Sequence, residues 1–378
     1  MRSAARLLGA GAAVMVIAAG TAAVSPASAA VSGSPPAPPP RTSITVVVTG
    51  DVLIHQGRLA REAAAAGRAS GVGFDFGPIF APVAPLIQAA DLALCHLETP
   101  LATPEGPFRG YPVFSTQPQI VDALIGAGYD ACSTASNHSL DSGFAGLVRT
   151  LDTMDGKGLV HTGTFRSAQE SLSPRTIDVD GVTVGHVAWT YGLNGIPLPA
   201  GKEWAVNVSD LARMEVDRLL AAAARARQAG ADVVIASVHC CVEYRHDPTP
   251  AQVAIAAALL ASPDVDLMLG HHAHVVQPFE RIDGKWVAYG LGNHIAGQGA
   301  GETEDSVIGR FTFTRGPDGR FAVTRAEAIP TRIDLRDGPV RIVDTAARRE
   351  VHADSFDRVV EILNRRGAAA AGLLIAAQ

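Results

Sequence analysis

Residues able to hold a metal ion or move a proton recur in this chain just after short apolar runs. Asp51 and His55 follow Val-Val-Val-Thr-Gly, Glu98 follows Leu-Ala-Leu-Cys-His-Leu, and Asn137-His138 follows Cys-Ser-Thr-Ala-Ser. His239 ends Val-Val-Ile-Ala-Ser-Val, and His271-His272-Ala273-His274 follows Leu-Met-Leu-Gly. Imidazole nitrogen combined with carboxylate and amide oxygen suits Zn, Mn, Fe and related divalent ions. A carboxylate can bridge two such ions roughly 3.5–4 Å apart, and the pair can activate water and clamp a transferring group. Were His272 and His274 in a strand, they would share one face, since residues two apart point alike. Each residue also has a plainer reading. Asp51 could cap a helix, Asn137 could occupy a turn, and His239 could be a buried imidazole with a satisfied partner. Three crowded imidazoles at 271–274 are harder to explain by packing, because they repel once protonated. Together the set points to a metal site.

Positioning these groups requires strand ends that converge. Short apolar runs at 44–49, 92–97, 129–134, 159–162, 232–238 and 265–269 read as strands, alternating with helical spacing at 118–127, 144–154, 211–228 and 250–260. In α/β proteins such strand ends face one crevice, where ligands bind. Asp180-Gly181 and Asp283-Gly284 mark hairpins between 176–179 and 182–190 and between 275–282 and 286–289. A third hairpin turns at Pro317-Asp318-Gly319, between 306–314 and 321–329. Alternation early and hairpins late predict an α/β fold with mixed sheets and outer helices. An amphipathic helix is expected near 356–363.

With these motifs in order, the chain resembles the CapA family of capsule and poly-γ-glutamate synthesis proteins, related in fold to calcineurin-like metallophosphoesterases. The matching segments are Thr-Gly-Asp51, His96-Leu-Glu98-Thr-Pro-Leu, and Ser-Asn137-His138-Ser-Leu-Asp141-Ser-Gly143. They continue with His239-Cys-Cys-Val-Glu243-Tyr244, Leu-Gly-His-His272-Ala-His274 and Tyr289-Gly-Leu-Gly-Asn293-His. The resemblance implies a four-layer α/β/β/α metallophosphatase-like sandwich over 44–335. It implies two divalent metal ions, Mn, Zn or Fe. Asp51 and His274 would hold one ion, Asn137, His239 and His272 the other, and Glu98 would bridge them. His138 would be the general acid or a transition-state stabiliser, oriented by Asp141. His55 and His96 would be extra ligands or would orient ligands, and Glu243 and Tyr244 would line the substrate cleft. Where the family has Asn-Leu-Glu this chain has His96, and Cys241 replaces a glycine. Gly292-Asn293-His294 imitates the phosphoesterase Gly-Asn-His motif but stands at the family's Leu-Gly-Asn-Phe position, so Asn137-His138 takes that role instead.

The ends and the composition limit the function. Arg2 and Arg6, an apolar run over 7–19 and Ala27-Ser28-Ala29 read as a signal peptide over 1–29, implying a secreted, envelope-associated protein. Residues 30–43 read as a proline-rich linker. Removing the signal leaves roughly 350 residues, enough for one large domain. The last segment, 336–378, reads as an extension with one helix. The chain has net charge −6, and loss of Arg2 and Arg6 takes it to −8, which argues against nucleic acid, whose phosphates need a basic face. Cys95 and Cys132 close two apolar runs and would pair if those strands are neighbours. Cys240 and Cys241 would be free thiols or vicinal partners rather than metal ligands. Two classes of function remain open: a metal-dependent hydrolase acting on an extracellular or envelope polymer, or a noncatalytic factor that assembles or exports the polymer beside capsule-synthesis membrane proteins.

Overall fold

The computed structural model describes residues 41–299, 301–336 and 338–376. The expected signal peptide and nearly all of the proline-rich linker lie outside the described residues. Strands β1 (Ser43–Val52), β2 (Leu92–Leu97), β3 (Ala131–Ser133) and β4 (Val160–Thr162) begin one sheet. A second sheet takes β5 (Thr176–Val179), β6 (Val182–Thr190), β7 (Val233–His239), β8 (Leu267–His271), β9 (Phe279–Ile282) and β10 (Lys285–Ala288). The chain then returns to the first sheet with β11 (Asn293–Ile295), β12 (Asp305–Arg315), β13 (Phe321–Asp334), β14 (Arg341–Asp344) and β15 (Leu373–Ile375). The first sheet runs β14-β13-β12-β1-β2-β3-β4, with β11 beside β1 and β15 beside β13, and the second runs β5-β6-β7-β8-β10-β9. In the second sheet parallel central strands carry antiparallel edges, whereas in the first β1 to β4 run parallel and β12, β13 and β14 follow on antiparallel.

The two inner faces share one apolar core, with Val46, Leu94 and Phe311 from the first sheet against Val184, Ile235 and Leu269 from the second. Helices α1 (Arg58–Ser70), α2 (Gly77–Phe80), α3 (Ala84–Gln88), α4 (Ile120–Ala127) and α5 (Gly143–Lys157) cover the outside of the first sheet. The short α6 (Ala168–Leu172) precedes β5, while α7 (Asp217–Gln228) and α8 (Pro250–Ala261) cover the second sheet. The result is the expected α/β/β/α sandwich. Strands buried on both faces explain why β2 and β7 are continuous apolar runs rather than alternating ones. The last helix, α9 (Arg349–Asn364), sends Val359, Ile362 and Leu363 into the central core. Residues beyond 335, read from sequence as an extension, therefore add β14, α9 and β15 to the same body.

Local chemistry accounts for most boundaries. Thr249 and Gln252 form a reciprocal capping box at the start of α8, with Pro250 at its first position. Asp180-Gly181 and Asp283-Gly284 both adopt left-handed backbone, as two-residue hairpin turns require. The expected single helix over 211–228 is instead a short 3-10 turn, Leu211–Arg213, and then α7, because Met214 turns left-handed at φ 64°. The expected strand over 275–282 shortens to β9, since the chain from His272 to Pro278 is a loop. Cys95 and Cys132 stand opposite each other on β2 and β3 and form a disulfide, with Cα atoms 4.4 Å apart. Cys240 and Cys241 are bonded to each other.

Two glycines let backbones meet under the candidate site. A Cβ at Gly50 would lie 2.0 Å from the carbonyl oxygen of Gly292, and one at Gly270 would lie 1.9 Å from that of Tyr289. Both immediately precede candidate ligands, so the close approach sets where Asp51 and His271 to His274 emerge. Gly270→Ala should cost about 1–3 kcal/mol or more, since β8 and the Tyr289 backbone must separate. Urea unfolding would read it as a lowered midpoint, and an unchanged midpoint would contradict the close approach.

Candidate metal centre

The candidate residues come from strand ends in both sheets. Asp51 ends β1, Glu98 follows β2, Asn137 and His138 lie in the turn after β3, His239 ends β7, and His271 ends β8. Asp51 does not cap a helix, because α1 starts at Arg58 with Gly57 before it. His272 and His274 do not share a strand face. They lie beyond β8 with left-handed backbone, at φ 83° and 56°, and it is the loop that brings both rings inward. Asp51, Glu98, Asn137, His138, Asp141, His239, His272 and His274 are all buried.

Glu98 sits at the middle. Its Oε1 is 3.9 Å from His239 Nε2 and 3.9 Å from His274 Nε2. On one side, His274 Nδ1 lies 3.4 Å from Asp51 Oδ2. On the other, His239 Nε2 lies 2.7 Å from Asn137 Oδ1. The His272 ring centroid is 4.7 Å from that of His239 and 5.9 Å from that of His274. This disposition fits a bridging carboxylate with ligands to either side. Glu243, expected only to line the cleft, puts Oε1 3.9 Å from His274 Nε2 and groups with His272 and His274 as a set of donors able to reach one ion. Tyr244 is exposed at the rim, and its hydroxyl accepts from Gln298 Nε2 at 3.2 Å.

His96 supports a ligand. Its Nδ1 meets Ser133 Oγ at 2.7 Å, and its Nε2 meets His239 Nδ1 at 2.9 Å. That contact leaves His239 Nε2 facing Asn137 and Glu98, the usual way a neighbour fixes a ligand imidazole. His96 also stacks on His271 and, with Asp51 and His271, forms a further set of donors within reach of one ion. His55 joins no such set among the described residues. Its ring lies edge-on to Phe114, and its Nδ1 accepts from the Gly297 N–H at 3.2 Å.

Sequence reasoning left three neighbours without a role. His271 Nδ1 lies 3.0 Å from Asp51 Oδ1, Asn293 Oδ1 lies 2.9 Å from His274 Nδ1, and Asn194 Oδ1 accepts from Asn137 Nδ2 at 3.1 Å. Asn293 belongs to the segment set aside as an imitation motif, and its place beside a quoted ligand motif was the available signal. His294 does turn away: it is fully buried between Phe80 and Tyr129, with both ring nitrogens unpartnered.

The electrostatics divide the histidines. Burial and neighbouring imidazoles pull His96 and His239 well below the ordinary histidine range, and His272 to about 3, so all three are neutral and competent as ligands. Burial opposes charge on Asp51, but hydrogen bonds from His271 and His274 outweigh it and hold the carboxyl well below its usual range. Both oxygens of Glu98 are buried without a hydrogen-bond partner, and burial pushes its carboxyl up to about 7. Burial pulls His274 down, but the charges of Glu98 and Asp51 more than offset it and raise it to about 9. Without a cation, then, the His274 proton is the positive charge beside two buried carboxylates. A buried carboxylate with no hydrogen-bond partner among the described residues, beside ligand-type imidazoles and an amide oxygen, suits a divalent cation.

A cation must displace the His274 proton. Below about pH 9 that proton competes, and below about pH 7 a proton on Glu98 competes as well, so apparent metal affinity of the metal-free protein should rise with pH, by about tenfold per unit for each proton displaced. Calorimetry at pH 7 in buffers of different ionisation enthalpy should detect proton release, and a buffer-independent heat would refute it. His294→Phe should leave metal content unchanged and raise stability by about 1 kcal/mol, because it removes two buried unpartnered nitrogens from an aromatic pocket. Loss of metal in that variant would return His294 to the site.

The comparisons with known proteins point the same way as the motifs. The PGA biosynthesis protein CapA of Bacillus subtilis (strain 168) is 26% identical over 249 residues, 65% of this chain and 64% of that protein. A probable polyglutamine synthesis accessory protein of Mycobacterium tuberculosis (strain CDC 1551 / Oshkosh) is 29% identical over 219 residues, 54% of this chain and 55% of that protein. The chain thus spans less than two thirds of the length of either relative. Among solved structures, the calcineurin-like phosphoesterase YfkN from Bacillus subtilis aligns at TM-score 0.45 and 16% identity, covering 85% of this chain and all of that one. The family model described as bacterial capsule synthesis protein PGA_cap matches residues 45–298, and the chain belongs to that family.

Proposed function

We propose that this protein is a secreted, metal-dependent hydrolase of the phosphoesterase type, acting on capsular poly-γ-glutamate or a related envelope polymer. The observation that carries the reading is Glu98: a fully buried carboxylate with no hydrogen-bond partner, midway between His239 and His274. Asp51 and His274 would hold one divalent ion, Asn137, His239 and His272 would hold another, and Glu98 would serve both. Bound ions supply Lewis-acid polarisation and neutralise negative charge on the reacting group.

The chain's own acid is His138. Its Nδ1 lies 2.7 Å from Asp141 Oδ2, which leaves Nε2 to exchange a proton with a leaving group. Asp141 is itself fixed by the Phe114 N–H at 2.7 Å, and the Phe114 ring packs edge-on to His138. Burial lowers the affinity of His138 for its proton, but Asp141 and the charge of Glu98 outweigh that and raise it above the ordinary histidine value. A histidine whose proton affinity is raised by a hydrogen-bonded carboxylate is suited to protonate a departing oxygen or nitrogen.

A second reading has support in the relatives' names, which speak of biosynthesis and of an accessory to synthesis rather than of a bond cleaved. In that reading the ions and cleft hold the polymer during assembly or export, beside capsule-synthesis membrane proteins.

Metal analysis of the purified protein, with phosphoesters and poly-γ-glutamate as trial substrates, separates the two. Hydrolysis predicts that His239→Ala and His272→Ala each lower metal content, whereas His138→Ala keeps metal and slows turnover by about 10²–10⁴-fold. Metal-dependent polymer binding with no change in polymer length would favour the assembly role. Wild-type protein free of divalent metal under every loading condition would end both. Secretion predicts a mature N-terminus near Ala30, read by N-terminal sequencing, and an intact Met1 on exported protein would overturn it.

A further inference from the structure

Between β6 and α7 the chain makes a tight turn at Leu193-Asn194-Gly195-Ile196. The Ile196 N–H donates to the Leu193 carbonyl at 2.8 Å, and Asn194 and Gly195 have φ 51° and 76°. Two consecutive left-handed residues define the turn type for which Asn-Gly is the preferred pair. Leu193 shares an apolar cluster with Leu140 and Leu147, which follow the segment carrying Asn137 and His138. The residues leading into the turn are tied back as well, since the Tyr191 N–H donates to the His239 carbonyl at 3.1 Å. This connection is therefore pinned to both sides of the site, and Asn194 sits at its tip.

The side chain of Asn194 reaches Asn137. Its Oδ1 accepts from Asn137 Nδ2 at 3.1 Å, while Asn137 Oδ1 faces His239 Nε2 at 2.7 Å. An asparagine amide has two ends of similar shape and opposite hydrogen-bonding sense. Only the oxygen end can bind a cation. Turned the other way, Asn137 would aim its NH₂ group at the ion and would have no donor for Asn194. The His138 Nδ1 is 3.4 Å from Asn194 Nδ2 and belongs instead to Asp141 at 2.7 Å, so the carbonyl of Asn194 is its engaged end.

We propose that Asn194 is a positioning residue: by accepting from Asn137 Nδ2 it fixes the Asn137 amide with its oxygen toward the cation shared with His239. The turn between β6 and α7 is then part of the metal centre rather than a connector. The proposal rests on the reading of Asn137 as a cation ligand. Asn194 never touches the ion, and acts through Asn137 alone.

Two substitutions isolate the effect. Asn194→Gly deletes the amide but keeps a residue at ease with left-handed backbone, so the turn survives. Asn194→Asp keeps an acceptor in the same place and tolerates the same backbone. Zn²⁺ titration of the metal-free full chain should show two binding events in the wild type. In Asn194→Gly one event should weaken by about 10–100-fold, the range typical for losing a partner of a metal ligand, with the other unchanged. Asn194→Asp should restore it. A second readout needs no metal: the Asn137 side-chain NH₂ resonances, identified by their absence in Asn137→Asp, should exchange slowly with solvent in the wild type and in Asn194→Asp, and faster in Asn194→Gly. If wild-type protein binds no Zn²⁺, the ligand reading falls, while the exchange rates still decide whether Asn194 holds the amide. Wild-type Zn²⁺ affinity in Asn194→Gly overturns the positioning role on its own, and so does wild-type amide protection.

Discussion

Two carboxylates, Asp51 and Glu98, are buried where the two sheets meet, and most of the site's other features answer to them. Charge in a low-dielectric interior is costly unless matched. Asp51 is matched by His271, His274 and the His272 N–H, which hold it ionised. Glu98 has no such partners, and burial pushes it up to about 7. The shortage of positive charge falls on His274, which is raised to about 9 between the two acids. A divalent cation would supply that charge directly and free His274 to act as a neutral ligand. One missing positive charge thus links the burial of the acids, the protonation of His274 and the expected pH dependence of metal affinity.

The histidines behave differently because of where the chain places them. His96, His239 and His272 are surrounded by other imidazoles and apolar side chains, and burial keeps them neutral. His138 has Asp141 at 2.7 Å, which helps outweigh burial and raises its affinity for a proton. Neutral donors and a histidine that favours its proton therefore coexist within one cluster, separated only by which side chain each ring faces. Such a division suits metal-assisted hydrolysis: three imidazoles free to take an ion without first losing a proton, and a separate histidine held by a carboxylate.

Much of this was legible in the sequence, and the failures have identifiable causes. Continuous apolar runs marked β1, β2, β7 and β8 because strands buried on both faces need no polar alternation, and the polar residue ending each run marked the crevice. The helix α1 was missed because its buried side is Leu59, Ala63 and Gly67, small residues that leave little periodic signal. The strands β14 and β15 were missed because they are only four and three residues long, and β15 finds its partner on β13 through a contact remote in sequence. Within the site, ligands came from motifs but their supports did not. His271, Asn293 and Asn194 act through partners 220, 19 and 57 residues away, and spacing along the chain carries no trace of such contacts. The strand reading of His272 and His274 failed because left-handed backbone at non-glycine residues is uncommon and cannot be inferred from residue type.

His96 shows how a departure from a family pattern can be absorbed. The family's asparagine at this position would offer one amide; the imidazole offers two nitrogens on opposite sides of a ring. Here one reaches Ser133 on β3 and the other reaches His239 on β7, so a single side chain spans from the first sheet to the second. The disulfide between Cys95 and Cys132 lies one residue before both ends of the His96–Ser133 contact. It ties β2 to β3 covalently at the level from which Glu98 and Asn137 emerge. His239 thus takes its orientation from a strand pair that is itself cross-linked, and the bridging carboxylate and the amide ligand leave that same pair. The two halves of the candidate centre are held by one rigid base, with β1 and β8 closing on it from either side.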